Sequence, residues 1–262
     1  MLLARLTLLL VCCVSVAVAQ SPQNQDYAAG RKAESAGDIA AATANYQAVV
    51  ARNSILKEYA LWHLAKLARA TGDPVLERER LQQLLATAPN SLLHDTAALR
   101  LSESFFESGD FNSAATSAKA LASAKNVAVA REAAALMGTA QVRAGKTAEA
   151  RDTFTKLVMQ MPDASRPDDF ALTAVRNLDA LDKSPSSANP SPSLSEQEHL
   201  LRASVYQFNR DFAGARAHYQ ALIDQYPQST TVPNATFQIA RGFYSEAKFD
   251  DAIRILQQLN RT

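Results

Sequence analysis

Apolar positions along this chain recur on a helical period and break at regular turns. Between Ala133 and Pro162 the pattern resolves into two amphipathic helices. Leu136, Ala140 and Val142 mark the first, and Ala150, Phe154 and Leu157 recur at i, i+4 and i+7 along the second. Gly145 ends the first, because a helix C-terminus favours a left-handed residue that glycine adopts freely. Pro162 ends the second, having no N–H to extend the ladder. Gly138 and Ala150 are small enough to let the paired helices approach, and Phe154 fills the space beyond them.

The same unit repeats. Gly37-Asp38 leads to Ala42, Tyr46 and Val49; Gly72-Asp73 to Leu81, Leu84 and Pro89; Gly109-Asp110-Phe111 to Ala114, Ala118 and Leu121. Arg210-Asp211-Phe212 then leads to Ala215, Tyr219, Leu222 and Pro227, and Ala247-Lys248-Phe249 to Ala252, Leu256 and Leu259. The first four turns lie about 36 residues apart, near the roughly 34-residue period of the tetratricopeptide repeat, whose pattern these units resemble. The expected fold is all-α, with tetratricopeptide-like helix pairs stacked in a right-handed superhelix, an α-solenoid.

Nearly two periods separate Gly145 from Arg210. Within that gap Asp169 to Leu181 reads as a lone helix, and Ser184 to Ser193 as a solvated Ser/Pro linker. Ser195 caps the next helix, with Glu198 as its capping-box partner. The reading is therefore a helical block over 22–183 (four repeats and the lone helix), a linker at 184–193, and two further repeats over 194–262. The linker separates two domains or forms a loop in one superhelix. Leu256 and Leu259 lie on a last helix with no successor and no polar cap, so the second block reads as truncated, with more chain expected beyond Thr262.

Residues 1–19 read as a secretory signal: Arg5 supplies the charge, Leu6 to Val18 the apolar stretch, and Ala17-Val18-Ala19 the cleavage site. Export to the periplasm is expected, with no integral membrane segment after cleavage. Cys12 and Cys13 are the only cysteines and fall within that segment, which removes disulfide and thiol chemistry from the remainder. Setting Arg5 aside leaves basic and acidic residues equal in number. A balanced charge argues against nucleic-acid binding.

No constellation points to catalysis or to a cofactor. His63, His94, His199 and His218 lack metal-ligand spacing and read as ordinary surface or groove residues. Asp168-Asp169 reads as a helix cap. The better candidate is a binding groove. The first helix of each pair lines the concave side of such an array, and counting back from each turn places Tyr27, Arg31, Trp62, Lys66, Arg69, Phe106, Arg143, Phe237, Arg241 and Tyr244 there, with Leu99 and Glu103 alongside. Aromatic rings beside Arg or Lys can hold a peptide, a partner helix or sugar rings. Trp62, Phe106 and Phe237 read equally well as packing between repeats.

Gly138 to Pro162, followed by Leu194-Ser195-Glu196-Gln197-Glu198, Arg202-Ala203, Phe212, Ala215, Tyr219 and Leu222, resembles the non-catalytic superhelical region of soluble lytic murein transglycosylases. That resemblance implies an exported scaffold for non-covalent binding to a protein or peptide, to peptidoglycan, or to a fused catalytic domain following residue 262. In that family the catalytic glutamate lies in Glu-Ser-x-Phe and is followed by Gly-Leu-Met-Gln. Glu103-Ser104-Phe105-Phe106 matches the first motif but sits in a repeat helix, and the second motif is absent. Glu103 and Glu107 share a helix face that reads as solvated. Tyr226-Pro227-Gln228-Ser229, with Ala235, Ala240 and Tyr244, is also similar to exported repeat proteins related to the outer-membrane β-barrel assembly lipoprotein, which implies an envelope-assembly adaptor as the alternative.

Overall fold

The computed structural model describes residues 22–163, 165–183 and 193–260. The signal reading at 1–19 and all of the linker except Ser193 lie outside the described residues. Everything described is helix or turn. The helices are α1 (Pro22–Ser35), α2 (Ile39–Ala51), α3 (Lys57–Ala70), α4 (Pro74–Thr87), α5 (His94–Glu107), α6 (Phe111–Lys119), α7 (Val127–Arg143), α8 (Thr147–Met159), α9 (Asp169–Lys183), α10 (Glu196–Phe208), α11 (Phe212–Gln225), α12 (Val232–Ser245) and α13 (Phe249–Leu259). A short 3-10 turn, Ala120–Ser123, continues α6.

Consecutive helices pair as α1/α2, α3/α4, α5/α6, α7/α8, α10/α11 and α12/α13, and α9 stands alone after α8. Each pair is hinged at a residue with positive φ. Gly37, Gly72, Gly109 and Gly145 adopt φ between 76° and 79°, while Arg210 (61°) and Ala247 (59°) do so without the freedom of glycine, at a cost of about 1 kcal/mol each. The aspartates after four of these hinges cap the second helices: Asp38, Asp73, Asp110 and Asp211 each accept from the N–H three residues on. Ser195 and Glu198 form the expected reciprocal capping box.

The hinge supplies a ruler for the repeats. Seven residues before it stand Gly30, Ala65, Ser102, Gly138, Ala203 and Ala240, all small and all buried. A Cβ on Gly138 would meet the Phe154 ring at 2.5 Å, which is why the repeat needs glycine where its second helix carries phenylalanine. Five residues after the hinge stand Ala42, Glu77, Ala114, Ala150, Ala215 and Ala252, again all buried. One member of that series is a carboxylate.

The apolar core continues past the unpaired helix. Ala150, Phe154 and Leu157 of α8, Ala171, Ala174, Val175 and Leu178 of α9, and Ala203, Tyr206, Ala215 and Tyr219 of α10 and α11 belong to one cluster. The faces of α9 and α10 are joined further by Arg202 to Asp179 and Asp182, both at 2.6 Å.

Candidate functional site

The first helices form one side of the stack. In the middle of the stack they approach one another directly, α5 on α7 and α7 on α9, whereas no two second helices pack together to that extent. Side-chain links run along this side: Lys66 of α3 to Glu34 of α1 at 3.2 Å, Arg69 of α3 to Glu107 of α5 at 3.4 Å, and Gln207 of α10 to Gln238 of α12 at 2.8 Å.

The ten residues singled out from the sequence fall into separate groups on this frame. Tyr27, Arg31 and Lys66 gather around a polar cluster between α1 and α3. There the Tyr46 hydroxyl donates to Glu34 at 2.7 Å, His63 Nδ1 stands 2.7 Å from the same carboxylate, and Arg31 reaches His63 Nε2 at 3.2 Å. Tyr46 stacks on the His63 ring and Tyr27 tilts against Tyr46. Burial works to raise the Glu34 pKa, but the Tyr46 hydroxyl, His63 and Lys66 outweigh it and hold the carboxyl below its ordinary range. Burial pushes His63 below its usual value, partly offset by Glu34.

Trp62 is half-buried and packs on the cluster of Leu61, Ala65, Leu81, Leu84, Ala97 and Leu101, between the second and third repeats. Phe106 lies edge-on to Phe111 at the α5–α6 hinge, 5.3 Å between centroids. Arg143 is exposed in the last turn of α7. Phe237, Arg241 and Tyr244 come together with Ala240, Phe249, Ala252, Ile253 and Leu256 around an open groove of about 550 Å³ between α12 and α13.

Two polar centres escaped the sequence reading. Glu77, nearly fully buried, receives Arg100 Nε at 2.6 Å and the Ser104 hydroxyl at 2.8 Å. Arg100 extends on to Glu103 at 2.8 Å and Glu107 at 2.6 Å. Glu103 and Glu107 meet solvent, as expected, and both are in addition tied to a buried guanidinium. Hydrogen bonds from Arg100 draw the Glu107 pKa down. The available signal was Glu77 itself, a carboxylate at the alanine position of the repeat, where burial demands a paired cation.

The second centre lies where α9 meets α10 and α11. Asp179 accepts from Arg202, from the Tyr206 hydroxyl at 2.6 Å and from His218 Nε2 at 3.0 Å. Burial opposes its charge, yet these donors hold its pKa down to about 2. His199 Nδ1 meets His218 Nδ1 at 3.1 Å, so one ring must donate and the other accept. His63, His199 and His218 are all buried, correcting the expectation of surface or groove histidines: His63 packs on Tyr46, Glu34 and Arg31 of the repeat before it, and His199 and His218 pack on each other and, through His218, on Asp179 of α9. Asp168 caps α9 through the Ala171 N–H, as expected, and also pairs with buried Arg131 at 2.5 Å. Among the described residues no group of three or more metal-ligating side chains could hold an ion, and no helix is long and apolar enough to cross a membrane.

Models of the tetratricopeptide repeat match residues 59–91 and 199–229, and a second model of that repeat matches 99–169. No curated protein matches the chain. Among solved structures, a tetratricopeptide repeat protein from Parabacteroides merdae is 13% identical at a TM-score of 0.45, over 91% of this chain and 79% of that one. The Pseudomonas aeruginosa protein pilF is 14% identical at a TM-score of 0.42, over 81% and 95% of the two chains.

Proposed function

We propose that this chain, which carries tetratricopeptide repeats, is a scaffold that binds a polypeptide along the inner face of its first helices. The observation that supports this reading is the run of exposed charged side chains on that face, Arg31, Lys66, Arg69 and Glu107 in neighbouring repeats, set beside the half-buried rings of Tyr27 and Trp62. Their long stems cover apolar surface while the charged heads meet water, so an incoming chain exchanges weak exposed pairs for new ones at little cost. The pattern over Met1 to Ala19 supports placing the scaffold outside the cytoplasm. Within that compartment, the likeness of Leu194 to Leu222 to soluble lytic murein transglycosylases supports a role as the non-catalytic helical part of a peptidoglycan-remodelling protein.

Site-specific photo-crosslinking in cells tests the face. A photoreactive residue at position 66 or 69 should capture a discrete polypeptide, and one at position 75 or 82, on exposed positions of α4, should not. Equal capture from both sides would sink the reading. Co-sedimentation with purified sacculi tests the cell-wall placement separately: retention of the chain supports it, and a wholly soluble chain argues for the envelope-assembly adaptor instead.

A further inference from the structure

Between α8 and α10 the stack passes through the unpaired α9, and the hold of α9 on the pair that follows is polar as well as apolar. Arg202 and Tyr206 of α10 and His218 of α11 converge on Asp179 of α9. Arg176 of α9 reaches Asp211 at the next hinge at 2.8 Å, and the Asp168 N–H donates to Asn209 at 3.1 Å. At the centre of this joint lie two nearly fully buried imidazoles, His199 and His218, in contact Nδ1 to Nδ1 at 3.1 Å.

That contact limits the protons the site can hold. His218 Nε2 stands 3.0 Å from the Asp179 carboxylate, which only accepts, so Nε2 carries a proton. Between the two Nδ1 atoms there is room for one proton. With both rings neutral, His199 donates and His218 accepts. One added proton is accommodated, because an imidazolium at His218 donates to Asp179 on one side and to His199 on the other. A second added proton sets N–H against N–H and places two cations in one enclosed space. The surrounding charges impose the same limit. Around the pair stand Asp179 and Asp182 of α9, with Arg151 of α8 on Asp182, and Glu198, Arg202 and Tyr206 of α10, while Gln225 of α11 adds an amide. Three carboxylates against two guanidinium groups balance one imidazolium and not two. Tyr206 stacks on His218 and stays neutral, since burial and Asp179 push its pKa up. Burial and then the His218 ring hold His199 below its ordinary pKa, with Gln225 and Glu198 offsetting only part.

We infer that the His199–His218 contact is an acid-sensitive latch: it holds α10 and α11 on α9 while at most one of the two rings is charged, and loosens that joint when both are. In the opened joint each ring meets water and takes up its proton at an ordinary pKa of about 6.5. The open joint then binds one proton more than the closed one, so the opening constant rises about 10-fold for each pH unit below about 6.5. The stabilisation is present above that pH and is lost as pH falls. Acid loosens the joint without erasing it, because Ala174, Val175 and Leu178 of α9 still share an apolar cluster with Ala203 and Tyr206 of α10. What changes is how firmly the last two helix pairs are held to the first four. His63 is also buried, but it lies beside Glu34 and Arg31 in the first block, so a response confined to α9–α11 is not its doing. The latch uses none of the residues assigned to the inner face, and its failure would leave the reading of that face untouched.

The test reads the joint locally in the whole chain. Donor and acceptor dyes are attached through Thr173→Cys on α9 and Gln220→Cys on α11, both exposed positions, with Cys12→Ser and Cys13→Ser leaving no other thiol. Loss of energy transfer across a urea titration gives the opening constant. Between pH of about 6 and pH of about 5 that constant should rise about 10-fold. His199→Phe keeps a ring in the site without its basic nitrogens and should flatten the rise to under about 2-fold. His199→Gln, which keeps a polar group there, should flatten it equally. His94→Gln, at the start of α5, should leave the rise intact. A second dye pair, through Gln82→Cys on α4 and Asn112→Cys on α6, should show no comparable change. Circular dichroism of each variant confirms that the fold persists. A parent chain without the rise overturns the proposal. So does a rise that survives both His199 variants, or one that the α4/α6 pair shares in full.

Discussion

The second and the last repeats of this molecule carry the same design in opposite circumstances. Trp62 and Phe237 stand ten residues before their hinges, and Leu81 and Leu256 stand nine after. With α5 laid over α3 and α4, Leu81 is fully buried and Trp62 half-buried; with no described helix over α12 and α13, Leu256 is 41% exposed and Phe237 46%. The residue type follows the repeat register, whereas the burial follows the neighbour. A repeat is thus not a unit of stability. Its apolar face is worth little until the next helix arrives, which is the nearest-neighbour behaviour expected of a solenoid.

The covered interface also contains something that the open one lacks, the buried Glu77–Arg100 pair, and this offers the largest test of the comparison. Arg100→Leu, alone, leaves a buried carboxylate without its cation, with the Ser104 hydroxyl still donating to it, and should cost about 3–5 kcal/mol in urea denaturation. Adding Glu77→Ala restores the residue that five other repeats use and should recover most of that loss. A single variant as stable as the parent would show that Glu77 reaches water and that the interface is not closed. Next in size, Leu81→Ala should cost about 2–5 kcal/mol by opening a cavity, while Leu256→Ala, at the same register, should stay within about 1 kcal/mol. Equal losses would mean that α13 is covered in solution.

Smaller again, Trp62→Ala should cost about 1–2 kcal/mol, because only part of the indole is enclosed, against under about 1 kcal/mol for Phe237→Ala. Trp62 is the sole tryptophan, so its emission reports directly: intermediate wavelength and partial quenching by iodide are expected. A fully red-shifted, freely quenched emission would mean that α5 does not lie over it. The smallest effect is acidic. The folded-state pKa of Glu107 lies below its ordinary value because Arg100 donates to it. Its contribution is therefore present above the unfolded pKa of about 4.5 and is lost as pH falls through the lower folded value. The carboxylate is half exposed, so the loss should stay below about 1 kcal/mol. Urea midpoints of the parent and Glu107→Gln should differ at pH of about 7 and converge as the pH falls through the lowered folded-state pKa. A constant difference would exclude the ion pair as its source.

What the sequence determined by itself is local. Hydrophobic period, small residues at close approaches, aspartate caps and positive-φ hinges are properties of one helix or one turn, and they placed the six helix pairs and the unpaired α9. They also located Ser195 and Glu198 as a reciprocal cap and Gly138 as the partner of Phe154, because those contacts lie within one repeat. The sequence could not rank the first-helix residues by exposure, since Trp62 and Phe237 read alike until their neighbours were known. Nor could it show that Glu103 and Glu107 serve Arg100 and Glu77, or that His199 and His218 meet over Asp179. Those groups are brought together by packing between helices, and the burial that makes a carboxylate need a partner is a property of the assembled stack.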